Sequence, residues 1–292
     1  MRTEWLMLSF VLVGCAAPTK NQVKTPFTAI NGPVIIAHRG GSLEKPENTI
    51  ESVRHGIEVG ADWVEVDVVL SKDDVPMVVH ENDLERYAHV EGKVSEKTRA
   101  ELEKIHVGAP GWSEGAKKAM SAVGVTPTEF GTAYPEATIP TLEAVLALGG
   151  RMMIEMKSTE EPQELADEVL EAVKNTFAYE RVILGSFDPQ LLKAVQLRDP
   201  TLPLVGILED LEMIPEMLEY DPKVLAVRAD LAVEARAQAP ANVAIWVWTV
   251  YNEEMARQAV EAGVNGLITD APSAVVKALR GPKDVYIRRA SD

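Results

Sequence analysis

The chain has 292 residues, 46% of them hydrophobic and 25% charged, with a formal net charge of −16, which suits one large globular domain or two small ones and excludes a disordered chain. The acid excess argues against a protein that holds nucleic acid by counterion release, because no basic surplus exists to neutralise phosphates. The single cysteine, Cys15, excludes an intramolecular disulfide framework.

The first segment, "MRTEWLMLSFVLVGC", has an apolar core from Leu6 to Val13, shorter than the roughly 20 residues of a membrane-spanning helix. Small residues and Cys15 follow it, a pattern that resembles a bacterial lipoprotein signal. The expectation is a signal peptide over 1–14, lipidation at Cys15 as the first mature residue, and a tether over 15–32. Glu4 offsets Arg2, so the charged leader is weak, and a secretory signal in which Cys15 is incidental is the alternative. Removing 1–14 deletes one charge of each sign and leaves −16. A lipidated chain would be exported and membrane-anchored, and Ala16 after the cysteine points to the periplasmic face of the outer membrane or the cell surface.

From residue 34 onward short β-branched runs alternate with amphipathic segments. Strands are predicted at Val34–Ala37, Trp63–Leu70, Met152–Met156, Val182–Gly185, Leu204–Ile207, Val224–Val227, Ala244–Val247 and Gly266–Ile268. Helices are predicted at Thr49–Val59, Leu142–Leu148, Pro162–Thr176, Gln190–Leu197, Leu211–Leu218, Leu231–Gln238, Glu253–Ala262 and Ser273–Leu279. Asn48 with Glu51 reads as a capping pair for the first helix, and Gly60 as its stop. Eight such units predict an α/β fold, a (β/α)8 TIM barrel with a parallel sheet.

Pro76–His80 interrupts the alternation. Its link to the second strand is too short for a parallel crossover, so it must return as a hairpin. A two-residue turn at Asp73 and Asp74 would set Lys72 opposite Val75 and bring His80 opposite Asp67. The stretch from Leu84 to Ile139 lacks strand–helix alternation and is rich in Gly, Pro, Ala and charge; a loop of that length reads as a functional insertion over the barrel mouth. The expected division is a barrel of 33–83 and 140–281, an insertion over 84–139, and a tail over 282–292.

The chemistry-bearing residues gather at one end of this barrel. In "WVEVDVV", Glu65 and Asp67 share one face of the second strand, and Val64, Val66 and Val68 share the other. The next strand repeats the device with Glu155 and Lys157 in "IEMK". Three carboxylates on neighbouring strands cannot all stay ionised in a semi-buried site without a cation. A hard divalent ion with oxygen ligands, Mg²⁺ or Ca²⁺, answers that need; an ion-pair network with Arg39 and Lys157 is the alternative. His38 and Arg39 end the first strand at the same mouth, and Gly40 and Gly41 can turn N–H groups toward an anion. Two histidines there, His38 and His80, suit proton transfer near neutral pH. His55, His89 and His106 lack such company and read as solvated or structural. Trp248 and Phe187 are placed to line an apolar substrate wall, or to belong to the core.

In order along the chain, "AHRGGSLEKPENT", "GADWVEVDVVLSKDDVPMVVHENDLER", "IPTLEAVLAL", "IEMK", "LGSFDPQLL", "VWTV" and "GLITD" resemble the glycerophosphodiester phosphodiesterases over residues 33 to 280. The resemblance implies a barrel with a small insertion domain and hydrolysis of glycerophosphodiesters to sn-glycerol 3-phosphate and an alcohol. It further implies His38 and His80 as the acid–base pair, Glu65, Asp67 and Glu155 as metal ligands, and Arg39 and Lys157 as phosphate contacts. Glu47 of "PENT" would orient the site or approach the metal. The chain departs from the pattern at Glu81, where Asp is common, and at Tyr87, where Thr is usual. A lysophospholipid- or sphingolipid-cleaving enzyme of related barrel type and a non-catalytic phosphodiester-binding lipoprotein are the competing readings.

Overall fold

A computed structural model of the chain describes residue 27 and residues 32–107, 114–126 and 133–281. The expected signal peptide, Cys15, most of the tether and the 282–292 tail lie outside the described residues.

Eight parallel strands, β1 (Val34–Ala37), β2 (Trp63–Leu70), β4 (Met152–Met156), β5 (Val182–Ser186), β6 (Leu204–Leu208), β7 (Val224–Arg228), β8 (Ala244–Val250) and β9 (Gly266–Thr269), form a closed barrel. Around the wall they run β1, β9, β8, β7, β6, β5, β4, β2, and pairing of β1 with β2 closes the ring. The short β3 (Pro76–Val78) pairs antiparallel with β2 outside the ring. Flanking the barrel are α1 (Ile50–Val59), α5 (Leu142–Leu146), α6 (Pro162–Asn175), α7 (Pro189–Arg198), α8 (Ile214–Leu218), α9 (Ala232–Gln238), α10 (Glu253–Glu261) and α11 (Pro272–Arg280).

The period-two pattern of β2 sorts the core into layers. Val64, Val66 and Val68 face outward and pack with Leu142, Val145, Leu165 and Val169 of the helix layer. Burying each such side chain contributes about 1.5–3 kcal/mol. The inward face holds a second cluster containing Val34, Trp63, Met153, Ile183, Val205 and Trp246. Phe27 closes the floor, its ring 6.0 Å from that of Trp63 and its carbonyl accepting a 3.1 Å hydrogen bond from Trp246 Nε1.

Four strands end one residue later than the sequence suggests, at Ser186, Leu208, Arg228 and Thr269, and β8 runs three residues further to Val250. Polar residues end several of them because the ladder continues to the mouth even after the apolar pattern has stopped. The first helix is capped by Thr49 and Ser52, each side chain accepting from the other's backbone N–H at 3.1 Å, where Asn48 and Glu51 had been the expected pair. Asn48 is occupied elsewhere, as described below. Gly60 ends the helix in the left-handed conformation, as expected.

The hairpin register also differs from expectation. Val68 pairs with Val78 and Leu70 with Pro76, so Asp67 meets Val79, whose N–H donates to the Asp67 carbonyl at 3.0 Å, and not His80. The turn has three residues, Lys72 to Asp74, because Ser71 Oγ accepts from Val75 N at 2.9 Å and Asp74 adopts a left-handed φ of 59°. β3 has already ended before His80, which frees that side chain from the ladder.

Between β3 and α5 the chain is more structured than a loop. It carries α2 (Leu84–Ala88), α3 (Arg99–Leu102) and α4 (Glu114–Ala122), and Met77, Val79, Leu84, Val94, Leu102 and Ile139 form a separate apolar cluster. Among the described residues, several contacts tie this segment to loops at the C-terminal ends of strands, including the turn after β2, where Lys72 N donates to the Lys97 carbonyl and Arg99 N to Asp73 Oδ1, each at 2.8 Å. Lys45 Nζ donates to Tyr134 Oη at 2.7 Å, and Asn252 Nδ2 to the Val123 carbonyl at 3.2 Å.

Candidate active site

The chain turns sharply as β1 surfaces. His38–Gly40 form a single 3-10 turn in which Arg39 takes a left-handed φ of 51°, an uncommon state for a residue with a Cβ. The turn is held from both sides: Arg39 N donates to Glu65 Oε2 at 2.8 Å and Asn48 N donates to the Arg39 carbonyl at 3.0 Å. Gly40 has φ 85°, and a Cβ there would come within 2.4 Å of the Ser52 backbone, so α1 can pack this closely only against glycine. The Gly41 N–H is consumed by the His38 carbonyl and is not offered to an anion, contrary to expectation.

The "PEN" tripeptide serves the site rather than the helix. Glu47 accepts from Arg39 Nη1 at 3.0 and 3.2 Å and so fixes the guanidinium. Asn48, fully buried with φ 58°, brackets Asp67: its Nδ2 donates to Asp67 Oδ2 at 2.8 Å and its Oδ1 accepts from Asp67 N at 3.1 Å. A short polar side chain that tolerates the left-handed region makes asparagine suitable here.

Glu65 and Asp67 point inward beside Glu155 of β4, which is register-paired with Asp67. One carboxylate oxygen from each of the three lies within 4.8 Å of the others, and all three side chains are buried. Lys157 Nζ lies 2.6 Å from Asp67 Oδ1 and also pairs with Glu155, while Arg39 Nε stands 3.3 Å from Asp67 Oδ2. Lys157 therefore sits among the acids as well as on the pocket wall.

The electrostatics of this cluster are unbalanced. Burial, followed by the nearby Asp67 charge, pushes Glu65 up to about 8, and burial likewise raises Glu155. Burial would also raise Asp67, but Lys157, His80 and Arg39 together hold it well below the usual carboxylate range. Glu65 Oε1 is buried and accepts no hydrogen bond. An unsatisfied buried oxygen facing two further carboxylates is a costly arrangement in isolation, and an all-oxygen donor set of this size suits a hard divalent cation. The three acids thus fit a divalent metal.

The two histidines are pulled in opposite directions. Burial would depress His38, but Asp270, whose Oδ1 lies 2.5 Å from His38 Nδ1, outweighs it and raises the imidazole above its ordinary value. Asp270 Oδ1 also accepts from Ser42 Oγ at 2.6 Å. His80 falls well below its ordinary value through burial and the neighbouring Arg39 and Lys157 charges. Its Nδ1 lies 3.0 Å from Glu81 Oε1.

An open pocket joins these groups, lined by His38, Arg39, Glu65, His80, Glu155 and Lys157 on one side. Phe187, Ile207, Glu209, Trp248, Thr249 and Ile268 line the rest. Phe187 meets Trp248 edge to face at 5.6 Å, and Trp248 Nε1 donates to the Ala226 carbonyl at 3.2 Å. Trp246, by contrast, is wholly core. Of the remaining histidines, His55 is tied to Glu44 at 2.5 Å, while His89 and His106 are exposed and away from the pocket lining. The inward-facing acids, His38, Arg39 and His80 were all expected at this mouth. Asn48 was expected only as a helix cap, and Ser42, Asp270 and Glu209 had no role assigned from sequence; the position of Asp270 just beyond the last barrel strand, beside β1, was the available signal.

A parallel barrel with histidines, cations and a buried acid triad converging beyond the C-terminal ends of its strands has the layout of a barrel enzyme. Residues 38–274 match the model of the glycerophosphoryl diester phosphodiesterase family, and the chain belongs to that family of phosphoric diester hydrolases. It is 30% identical over 259 residues to a glycerophosphodiester phosphodiesterase of Caldanaerobacter subterraneus subsp. tengcongensis, covering 85% of this chain and 98% of that one. A glycerophosphodiester phosphodiesterase of Bacillus subtilis is 26% identical over 300 residues, covering 94% of each. Among solved structures, a phosphodiesterase of Oleispira antarctica in complex with the product sn-glycerol-3-phosphate shares the fold with TM-score 0.70 at 23% identity, covering 85% of this chain and 96% of that one.

Proposed function

We propose that the protein hydrolyses glycerophosphodiesters to sn-glycerol 3-phosphate and a free alcohol by acid–base catalysis between His38 and His80. The observation that carries this reading is the opposed tuning of the two histidines at one acid-lined pocket. Titratable groups pushed apart by their surroundings mark complementary proton-transfer roles. His80, pushed toward the neutral form, is suited to take a proton from the nucleophile, and His38, pushed toward the protonated form by Asp270, to give one to the departing alkoxide.

Glu65, Asp67 and Glu155 would hold one divalent cation, Mg²⁺ or Ca²⁺, which when bound supplies Lewis-acid neutralisation of phosphate charge. Arg39, fixed by Glu47, and Lys157 present the positive charge that binds the phosphodiester anion. Phe187 and Trp248 form the apolar wall on the far side. The product bound to the Oleispira antarctica enzyme supports the same product here. The N-terminal signal reading adds lipidation at Cys15 and an exported, membrane-anchored location, which metabolic labelling with a palmitate analogue would check against a Cys15→Ala variant.

The enzymatic test is release of sn-glycerol 3-phosphate from glycerophosphocholine with Mg²⁺ or Ca²⁺ present. Activity should vanish on chelation and fall at least about a hundredfold in His38→Ala and His80→Ala, the scale of general acid–base contributions. Full activity in either variant, or after chelation, overturns the scheme.

A further inference from the structure

The wall opposite the acids has its own chemistry. Between β1 and β6 the barrel order places β9, β8 and β7 one way and β2, β4 and β5 the other. The residue leaving β6 therefore stands diametrically across the mouth from His38 and Arg39, which leave β1. That residue is Glu209, exposed on the pocket lining.

Its neighbours in the pocket lining on that side are Phe187, just past β5, and Ile207 of β6, with Trp248 reaching in from β8. The edge-to-face contact of Phe187 with Trp248 and the hydrogen bond from Trp248 Nε1 to the Ala226 carbonyl hold the two aromatic rings in place. The cation that ends the adjacent strand, Arg228, is engaged by Asp230, through Nε to Oδ1 at 3.1 Å and Nη2 to Oδ2 at 2.6 Å. It is thus not available to neutralise Glu209. Glu209 itself makes no hydrogen bond or ion pair among the described residues.

A carboxylate set beside paired aromatic rings is poorly suited to an anionic or purely polar alcohol. It suits a cation that carries its own apolar shell, which gains from ring faces and from the negative charge together. With the phosphate held at the β1, β2 and β4 side, the group attached to it reaches toward β6.

We propose that Glu209, Phe187 and Trp248 form a leaving-group subsite that selects phosphodiesters whose alcohol bears an alkylated ammonium. This rests on the phosphodiesterase reading above and adds its substrate class. Glu209 is here a specificity residue: it binds the alcohol and takes no part in proton transfer.

The test compares kcat/KM for sn-glycero-3-phosphocholine, its ethanolamine analogue and the neutral bis(glycerol) phosphate, in wild type, Glu209→Gln and Glu209→Lys. The wild type should favour the choline diester over the neutral one, with ethanolamine between them. Glu209→Gln should lower the choline-to-neutral ratio about tenfold, and Glu209→Lys should invert it. Hydrolysis of all three with a ratio unmoved by either substitution overturns the subsite and leaves the phosphodiesterase reading standing. Failure of the wild type to hydrolyse any of them overturns both.

Discussion

Replacing Asp270 by asparagine keeps the shape of a buried side chain but removes the charge that His38 Nδ1 meets at 2.5 Å and Ser42 Oγ at 2.6 Å. A hydrogen bond to a charged group contributes roughly 1.5–3 kcal/mol, and 1.36 kcal/mol corresponds to about one pKa unit. His38 should therefore titrate lower in Asp270→Asn. The sign follows from the opposing influences: burial and Arg39 both lower His38, and Asp270 is the principal group raising it. As the protonated donor is lost earlier on raising the pH, the alkaline limb of the kcat/KM profile should move to lower pH. The same shift has a stability signature. A histidine raised in the folded state contributes stability that is fully present below its unfolded value near 6.5 and is lost as pH climbs through its folded value. Urea unfolding should then separate wild type from Asp270→Asn more widely at pH 6 than at pH 8. An unmoved alkaline limb in a folded Asp270→Asn protein would refute the role given to this carboxylate.

Two further outcomes are expected. In chelated protein, stability should fall as pH rises from the ordinary carboxylate value of 4.5 toward about 8, because folding requires Glu65 to keep a proton that the unfolded chain releases. Added Mg²⁺ or Ca²⁺ should accordingly raise the Tm more at pH 8 than at pH 5, and a gain independent of pH would contradict the shared-cation cluster. Asn48→Ala should cost about 3 kcal/mol in urea unfolding, combining a lost bond to the Asp67 carboxylate with about 1–2 kcal/mol for alanine in the left-handed region. Asn48→Gly should recover the backbone part, so equal losses in the two variants would count against that division.

Much of the barrel was legible because its two periodicities are clean. Glu65 and Asp67 alternate with three valines, and burial on both faces leaves that alternation only one register against the helix layer. The hairpin was misread for a local reason. "KDDV" reads as a two-residue turn until Asp74 is placed in the left-handed state and Ser71 closes a wider loop. The parts of the site that escaped are those fixed by distant partners. Asn48 looked like a helix cap but bonds to Asp67, 19 residues away, and Asp270 meets His38 across 232 residues. Glu209 carried no motif; its meaning comes from its position across the ring. The helices of the insertion escaped for another reason: α2 and α3 span five and four residues, too few for a 3.6-residue period to declare itself.

Phe27 gives the molecule a direction. Its ring and carbonyl join the polypeptide to Trp63 and Trp246 at the floor of the barrel, while His38 and the acids open at the other end. Phe27 thus meets the barrel at its blind end, opposite the opening through which a substrate enters.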